Sequence, residues 1–489
     1  MARLSLASLA AAGRTPALDR SRVRTGIVHL GIGVFARAHT ATFTEDAMLA
    51  TGDARWGIAG VTQRSDTVAR QLSPQDGLFT VSERGQGARP VRVVSSVVEA
   101  LVGRGDPAGV VERIAAPDTS VVTLTITEKG YRARGGSLDI KDPDVQLDLG
   151  GRAPSTAVGQ IVRGLQARRT ADAGPIAIVP CDNLPHNGKL TRRLVSDFVA
   201  ALPRGERAGL AEWVDESVAF PSTMVDRMAP ATTEDDVRAV ERELGLRDEA
   251  AVVAEPFRQW IIEDAFTGPR PAWEAAGAVL TDDVAPWESA KLRLLNASHS
   301  MAAYLGLLAG NATISEAIAD DAFRTACHRM MTEDALTVIE LPAGLDGPLY
   351  CEDVLRRFSN PALGHTTAKV GSDGSQKIGP RLLPTLRDSL AAGREPRWAA
   401  LAVAAWMHRV ATAPAAELND PLADTLGKAL AGKARAGART PAAVVRSLLE
   451  APAVGAQDLA ENHALRGLLE HWFDVIDRHG AAGVRAEIR

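Results

Sequence analysis

From residue 25 onward, short apolar runs rich in β-branched residues alternate with helical patterns, and this alternation limits the fold more than any other feature of the chain. The runs lie at 26–30, 56–62, 91–98, 121–127 and 176–179. Strands separated by helices return to the same end of a sheet before pairing again, so the pattern predicts an α/β domain with a mainly parallel sheet. After residue 285 the strand signal ends, and stretches rich in Ala, Leu and Arg follow at 290–309, 397–412 and 441–449. A chain of 489 residues is long for one core. The expected organisation is therefore an α/β domain over residues 1–285, followed by a mainly α-helical domain over 286–489. The breakers Leu341-Pro342-Ala343-Gly344, Ser359-Asn360-Pro361 and Gly371-Ser372-Asp373-Gly374 read as loops between helices of the second part, and the alanine-rich residues 429–436 as a surface helix.

The end of the first strand runs into Gly31-Ile32-Gly33-Val34-Phe35-Ala36 and then a helical pattern from 37 to about 49, so the α/β domain over residues 1–285 is expected to be a Rossmann-type dinucleotide-binding domain. Gly31 permits the tight turn, Gly33 lets backbone approach a pyrophosphate, and a small Ala36 allows close helix packing. Gly31, Gly33, Val34 and Phe35 are the candidate cofactor contacts. The second strand ends at Gln63-Arg64-Ser65-Asp66. An acid such as Asp66 suits the ribose 2′-hydroxyl of NAD and an Arg such as Arg64 suits the 2′-phosphate of NADP, so NAD is expected with NADP left open.

Composition narrows the partners. Hydrophobic residues make up 46% of the chain and charged residues 24%, with a net charge of −5, the profile of a globular protein that acts on small molecules rather than on nucleic acid or membranes. Cys181, Cys327 and Cys351 are scattered and odd in number, which indicates neither a disulfide framework nor a paired-cysteine zinc site, so no metal is expected and the cytoplasm is the expected compartment. The mildly apolar residues 4–12 lack the strong hydrophobic run of a signal peptide, and no segment reaches the roughly eighteen consecutive apolar residues of a membrane span. Oligomeric state leaves no mark in the sequence.

Chemistry is concentrated in Lys291-Leu292-Arg293-Leu294-Leu295-Asn296-Ala297-Ser298-His299. On a regular helix Lys291, Asn296 and His299 fall at roughly 0°, 140° and 80°, one broad polar face beside the apolar stripe of Leu292 and Leu295. Taken singly, the lysine reads as a solvated helix residue and the histidine as a hydrogen-bonded core residue.

The chain resembles the long-chain mannitol dehydrogenase family of mannitol 2-dehydrogenases, arabinitol dehydrogenases and the reductases of fructuronate and tagaturonate. The motifs that carry the likeness run in order from the glycine turn through Thr127-Glu128-Lys129-Gly130-Tyr131, Cys181-Asp182-Asn183-Leu184-Pro185-His186-Asn187-Gly188, Phe220-Pro221-Ser222-Thr223-Met224-Val225-Asp226-Arg227, Glu255-Pro256-Phe257-Arg258-Gln259-Trp260 and the Lys291 segment. The resemblance implies a metal-independent, NAD(P)-dependent oxidoreductase acting on the CH–OH group of a sugar alcohol or sugar acid. It implies Lys291 as general base, Asn187 and Asn296 as amides that donate to the reacting oxygen, His299 as the holder of a substrate hydroxyl, and Asp226 as an acid that tunes the base or relays protons. A buried lysine near other cations suits that role. The likeness implies a site in a cleft, with Asn187 arriving from the first domain and Lys291, Asn296 and His299 from the second.

Two departures bear on cofactor and substrate. Where the family has His-Arg-Ala-His-Gln, this chain has Ala36-Arg37-Ala38-His39-Thr40. Asn360-Pro361-Ala362-Leu363-Gly364-His365 and Asp373-Gly374-Ser375-Gln376-Lys377 resemble the hexuronate reductases, and Lys369 stands where mannitol enzymes carry Arg. His365, Lys369 and Lys377 are thus candidate substrate contacts; ammonium groups there suit a carboxylate and also donate to hydroxyls. The expectation leans to D-mannonate/D-fructuronate, with D-mannitol/D-fructose or arabinitol as the alternative, and a silent dinucleotide-binding sensor as a distant one that the joint presence of Lys291, Asn187, Asn296 and His299 disfavours.

Overall fold

In a computed structural model that describes residues 1–85, 87, 89–434 and 440–488, the alternating region forms a six-stranded sheet. Its strands are β1 (Thr25–Leu30), β2 (Gly57–Thr62), β3 (Val97–Val102), β4 (Val121–Leu124), β5 (Ile176–Pro180) and β6 (Val218–Ala219). They lie in the order β3-β2-β1-β4-β5-β6, and every neighbouring pair is parallel. This is the doubly wound dinucleotide-binding order, with its direction reversing between β1 and β4. Successive strand residues feed opposite faces: Ile27, Val121 and Ala177 enter one apolar core, while Val28, Val122 and Ile178 enter another. A sheet covered on both faces needs such continuous apolar strands, which is why no polar alternation marks them in the sequence.

Two expectations change in detail. The run at 91–98 is two strands: Arg92–Val94 pairs antiparallel with Phe79–Glu83 in a small separate sheet, and β3 begins at Val97. The helix after the glycine turn starts earlier, at Val34, and breaks at His39 before resuming as Thr40–Thr51. The break has a packing cause. His39 is fully buried, its ring set against Phe35, Phe43 and Trp260 at 4.9, 4.9 and 5.5 Å, and its Nε2 bonds the Gln259 carbonyl at 2.8 Å. Trp260 sits fully buried against Trp273, so the Glu-Pro-Phe-Arg-Gln-Trp motif places its aromatic ring in the core.

By contact density the chain divides into two compact units, Met1–Ala285 and Pro286–Arg489. In the second unit, all the described elements are helices, among them Ala297–Ala309, Gly347–Phe358, Thr367–Gly371, Gly374–Arg381, Leu383–Ala391, Arg397–Thr412 and Pro441–Glu450. The alanine-rich stretch begins in helix Ala423–Ala434; residues 435 and 436 lie outside the described residues. No helix among the described residues is long and apolar enough to cross a membrane.

Candidate active site

In the first unit the site residues gather at the carboxyl ends of β1, β4 and β5, on either side of the switch point. Gly31 has φ +99°, and a Cβ there would meet the Thr125 carbonyl oxygen at 2.2 Å, so only glycine fits. The turn is fastened from beneath: Gly31 N–H donates to Val61 O at 2.8 Å, and Thr125 Oγ1 donates to Gly31 O at 2.7 Å. Gly33 differs. It precedes helix Val34–Ala38, and a Cβ on it would meet nothing nearer than Gly31 O at 3.8 Å, so open space lies over the free N–H groups of that helix. A pyrophosphate fits such a cradle. Val34 and Phe35 line it half-buried, and Ala36 is fully buried against the core. Beyond β2, Arg64 is exposed and Asp66 pairs with Arg70 at 3.0 Å.

The loops after β4 and β5 are tied together by Asp182. Its carboxylate accepts from Ile126 N–H (3.0 Å), Thr127 N–H (2.8 Å) and the Tyr131 hydroxyl (2.8 Å). Asn187, fully buried at the start of helix Asn187–Ala201, extends that tie. Its Nδ2 donates to Asp182 O at 3.0 Å and Thr223 O at 2.9 Å, while its Oδ1 accepts from Thr223 N–H at 2.9 Å. Both amide hydrogens are thus committed to backbone carbonyls, a geometry of anchoring rather than of presentation to a substrate oxygen. Asp226 ends the strand Thr223–Asp226, buried, with its charge felt at the His39 ring. The neighbouring Arg227 turns to Glu83 at 2.9 Å and to the Glu255 carbonyl at 3.0 Å.

In the second unit Lys291 and Asn296 are each 6% exposed, and the segment that carries them is not an α-helix. Lys291–Asn296 is a π-helix set between helices Ala285–Ala290 and Ala297–Ala309. Hydrogen bonds from i to i+5 bring residues five apart onto one face, so Lys291 and Asn296 lie closer in angle than the regular helix geometry predicts. Such turns are rare and concentrate at functional sites. Asn296 Nδ2 is buried with no hydrogen-bond partner among the described residues, and so is His299 Nε2. Buried polar atoms are almost always paired, so these two, three residues apart on a segment that also buries Lys291, are candidates for holding a ligand.

Around His299 the surroundings are cationic. Its ring stacks on Phe358 at 4.7 Å and His365 at 5.8 Å. Burial, followed by the charges of His365, Arg381, Arg357 and Lys377, holds its pKa far below the usual histidine range, which keeps the ring neutral. Lys377 is half-buried, with Nζ donating to the carbonyls of Ser372 (2.5 Å) and Val370 (3.0 Å), which leaves one hydrogen for a ligand. Burial and then the Arg381 charge bring its pKa down to about 8. Lys369 is exposed, and its charge lowers the pKa of His365, whose largest depressing cause is burial. The structure thus brings His299, His365 and Lys377 together with two arginines, Arg357 and Arg381, that nothing in the sequence singled out. Among the described residues no three His, Cys, Asp or Glu side chains are grouped as metal ligands.

The chain matches the family models of the mannitol dehydrogenase Rossmann domain over residues 25–275 and the mannitol dehydrogenase C-terminal domain over residues 283–473. It is 39% identical to the D-mannonate oxidoreductase of Escherichia coli over 399 residues, 80% of this chain and 81% of that protein. An uncharacterized oxidoreductase of the same organism, YeiQ, is 37% identical over 94% of each chain. The mannitol 2-dehydrogenase of Pseudomonas fluorescens, solved as a ternary complex with NAD and D-mannitol, superposes with a TM-score of 0.82 at 33% identity over 96% of each chain.

Proposed function

Because the chain belongs to the mannitol dehydrogenase family, we propose that it is an NAD(H)-dependent oxidoreductase that interconverts a secondary alcohol of an open-chain sugar acid with its 2-keto form, D-mannonate with D-fructuronate. The observation that carries the reading is the pair of orphaned buried groups, Asn296 Nδ2 and His299 Nε2, on the segment that also buries Lys291. Gly31, Gly33, Val34 and Phe35 would hold the dinucleotide, with Asp66 the candidate for the ribose hydroxyl of NAD and Arg64 for the 2′-phosphate of NADP. A bound nicotinamide would supply the hydride acceptor for the carbinol carbon in oxidation and the hydride donor in reduction.

The protein's part is proton transfer and charge placement. Lys291 removes the hydroxyl proton in oxidation and returns it in reduction, which requires no metal. Asn296 donates from Nδ2 to the oxygen as it becomes an alkoxide, where a buried amide stabilises developing charge most. Asn187 shares that role only by exchanging one carbonyl for the substrate oxygen; otherwise it fixes the loop that borders the site. His299, held neutral, engages a neighbouring hydroxyl through Nε2. Asp226 tunes Lys291 or passes its proton on. His365, Lys369 and Lys377 meet the distal end of the substrate.

The acid is preferred to the polyol because of the cations that surround His299, which suit a carboxylate better than a hydroxyl. D-mannitol with D-fructose is the second reading, supported by the ligand named in the Pseudomonas complex. We place the enzyme in the cytoplasm, where its three buried cysteines remain thiols. Purified protein in EDTA, offered fructuronate, tagaturonate, fructose and xylulose with NADH or NADPH, is expected to reduce fructuronate most efficiently with NADH. Failure to reduce any of the four with either cofactor overturns the reading, and preference for fructose moves it to the polyol.

A further inference from the structure

Arg381 closes helix Gly374–Arg381, and its Nη1 donates to the Asn296 carbonyl at 3.2 Å and to Ser300 Oγ at 3.0 Å. Burial brings its pKa down to about 10, and its partners among the described residues are a carbonyl and a hydroxyl rather than a carboxylate. Desolvating a guanidinium without a counter-ion is costly, so its use on a main-chain carbonyl calls for a reason. The carbonyl it grips belongs to the last residue of the π-helix, where i→i+5 bonding gives way to i→i+4. Asn296 is also the residue whose side-chain amide is buried without a partner, and Ser300 follows one turn later beside His299.

The same segment is held from a second direction. Arg293 reaches out of the π-helix to Thr385 Oγ1 at 3.0 Å and Asp388 at 2.6 Å, both on helix Leu383–Ala391. The two anchoring helices adjoin at Leu382. Lys377 lies four residues before Arg381 in the first of them, hence one turn away on the same face, close enough for the Arg381 charge to lower its pKa. One short helix therefore carries a candidate substrate contact at one turn and a clamp on the Asn296 backbone at the next.

We propose that Arg381 is a positioning residue that fixes the junction of the π-helix and so aims the Asn296 amide at the reacting oxygen, coupling it mechanically to the helix that bears Lys377. The inference rests on the enzymatic role assigned to Asn296 above. In the full-length protein, with NADH and fructuronate each varied in turn, Arg381→Met is expected to lower kcat by about 10²-fold with KM for NADH within threefold, since a misaimed donor loses most of its effect. Arg381→Lys, which keeps the charge and one donor, is expected to recover part of that loss. Arg381→Met added to Asn296→Ala is expected to cost little beyond Asn296→Ala alone, because two changes that abolish one interaction are not additive. Amide hydrogen exchange at residues 296–300 is expected to accelerate at least tenfold in Arg381→Met, whether or not the protein turns over.

An unchanged kcat in Arg381→Met, or a loss that multiplies fully with that of Asn296→Ala, overturns the proposal. So does unchanged exchange at 296–300. If Arg381→Met does not fold, Arg381→Lys carries the same kcat and additivity tests. Wild-type protein inactive on every substrate pair overturns the functional reading instead, and the exchange comparison then still decides whether Arg381 clamps the junction.

Discussion

Lys291 is the side chain whose removal should be felt most in turnover and least in cofactor affinity. Lys291→Ala is expected to lower kcat by a factor on the order of 10² to 10⁴ with the NADH dissociation constant nearly unchanged; steady-state kinetics beside fluorescence titration checks this, and undiminished turnover removes the residue from the base role. Lys377 makes a prediction of a different kind. Its pKa of about 8 means that it is charged below that pH and neutral above it. KM for fructuronate should therefore rise as pH increases through about 8, while KM for fructose should not follow, and Lys377→Met should abolish the difference. At the glycine turn, substitutions two residues apart should part company. Gly31→Ala forces a Cβ against Thr125 O at positive φ and should lower Tm sharply, whereas Gly33→Ala meets open space and should leave Tm within a few degrees while raising KM for NADH. A parallel fall in Tm for both would mean that Gly33 serves the fold rather than the cofactor. These glycines were legible because a strand, a turn and a helix bracket them in sequence. Arg381 was not, since nothing local distinguishes an arginine after Gly379-Pro380 from the other arginines of the chain.

Between neighbouring elements, Asn187 fastens the loop after β5 to the strand Thr223–Asp226 through three hydrogen bonds. Asn187→Ala strands buried backbone groups and should destabilise the protein by about 2–4 kcal/mol, measurable by denaturant titration, with any kinetic loss added to it. A variant with wild-type stability would show the bonds to be incidental. The elements themselves were read with uneven success, for identifiable reasons. Helix Arg397–Thr412 was evident from its apolar Ala and Leu content, whereas the break at His39 follows from a stack of rings contributed by Phe35, Phe43 and the distant Trp260. The run at 91–98 divides at Ser95-Ser96, whose backbone N–H groups donate to the buried Glu45 carboxylate, and its two halves then pair with different strands. The π-helix has no composition of its own: a regular helix and a π-helix bury the same kinds of residue and differ only in the register of their hydrogen bonds, and the distant groups that hold this segment, Thr385 on Arg293 and Arg381 on the Asn296 carbonyl, are not local in sequence.

For the molecule as a whole, net charge and local charge oppose one another. The chain carries −5, yet His299 is surrounded by Lys377, Arg357 and Arg381. Salt screens the local attraction, so KM for fructuronate is expected to rise several-fold between about 50 mM and 500 mM NaCl while KM for fructose stays level; equal responses would argue for the polyol. The π-helix also has a consequence for inheritance. Its six residues span a register one residue longer than an α-turn, so an in-frame loss of a single codon between Lys291 and Asn296 would restore the i→i+4 ladder and leave every downstream helix in phase with its neighbours. The glycine cradle would be untouched. A variant lacking one residue of this segment is therefore expected to keep its melting temperature within a few degrees and still bind NADH while losing turnover; retained turnover would show that the π register is dispensable.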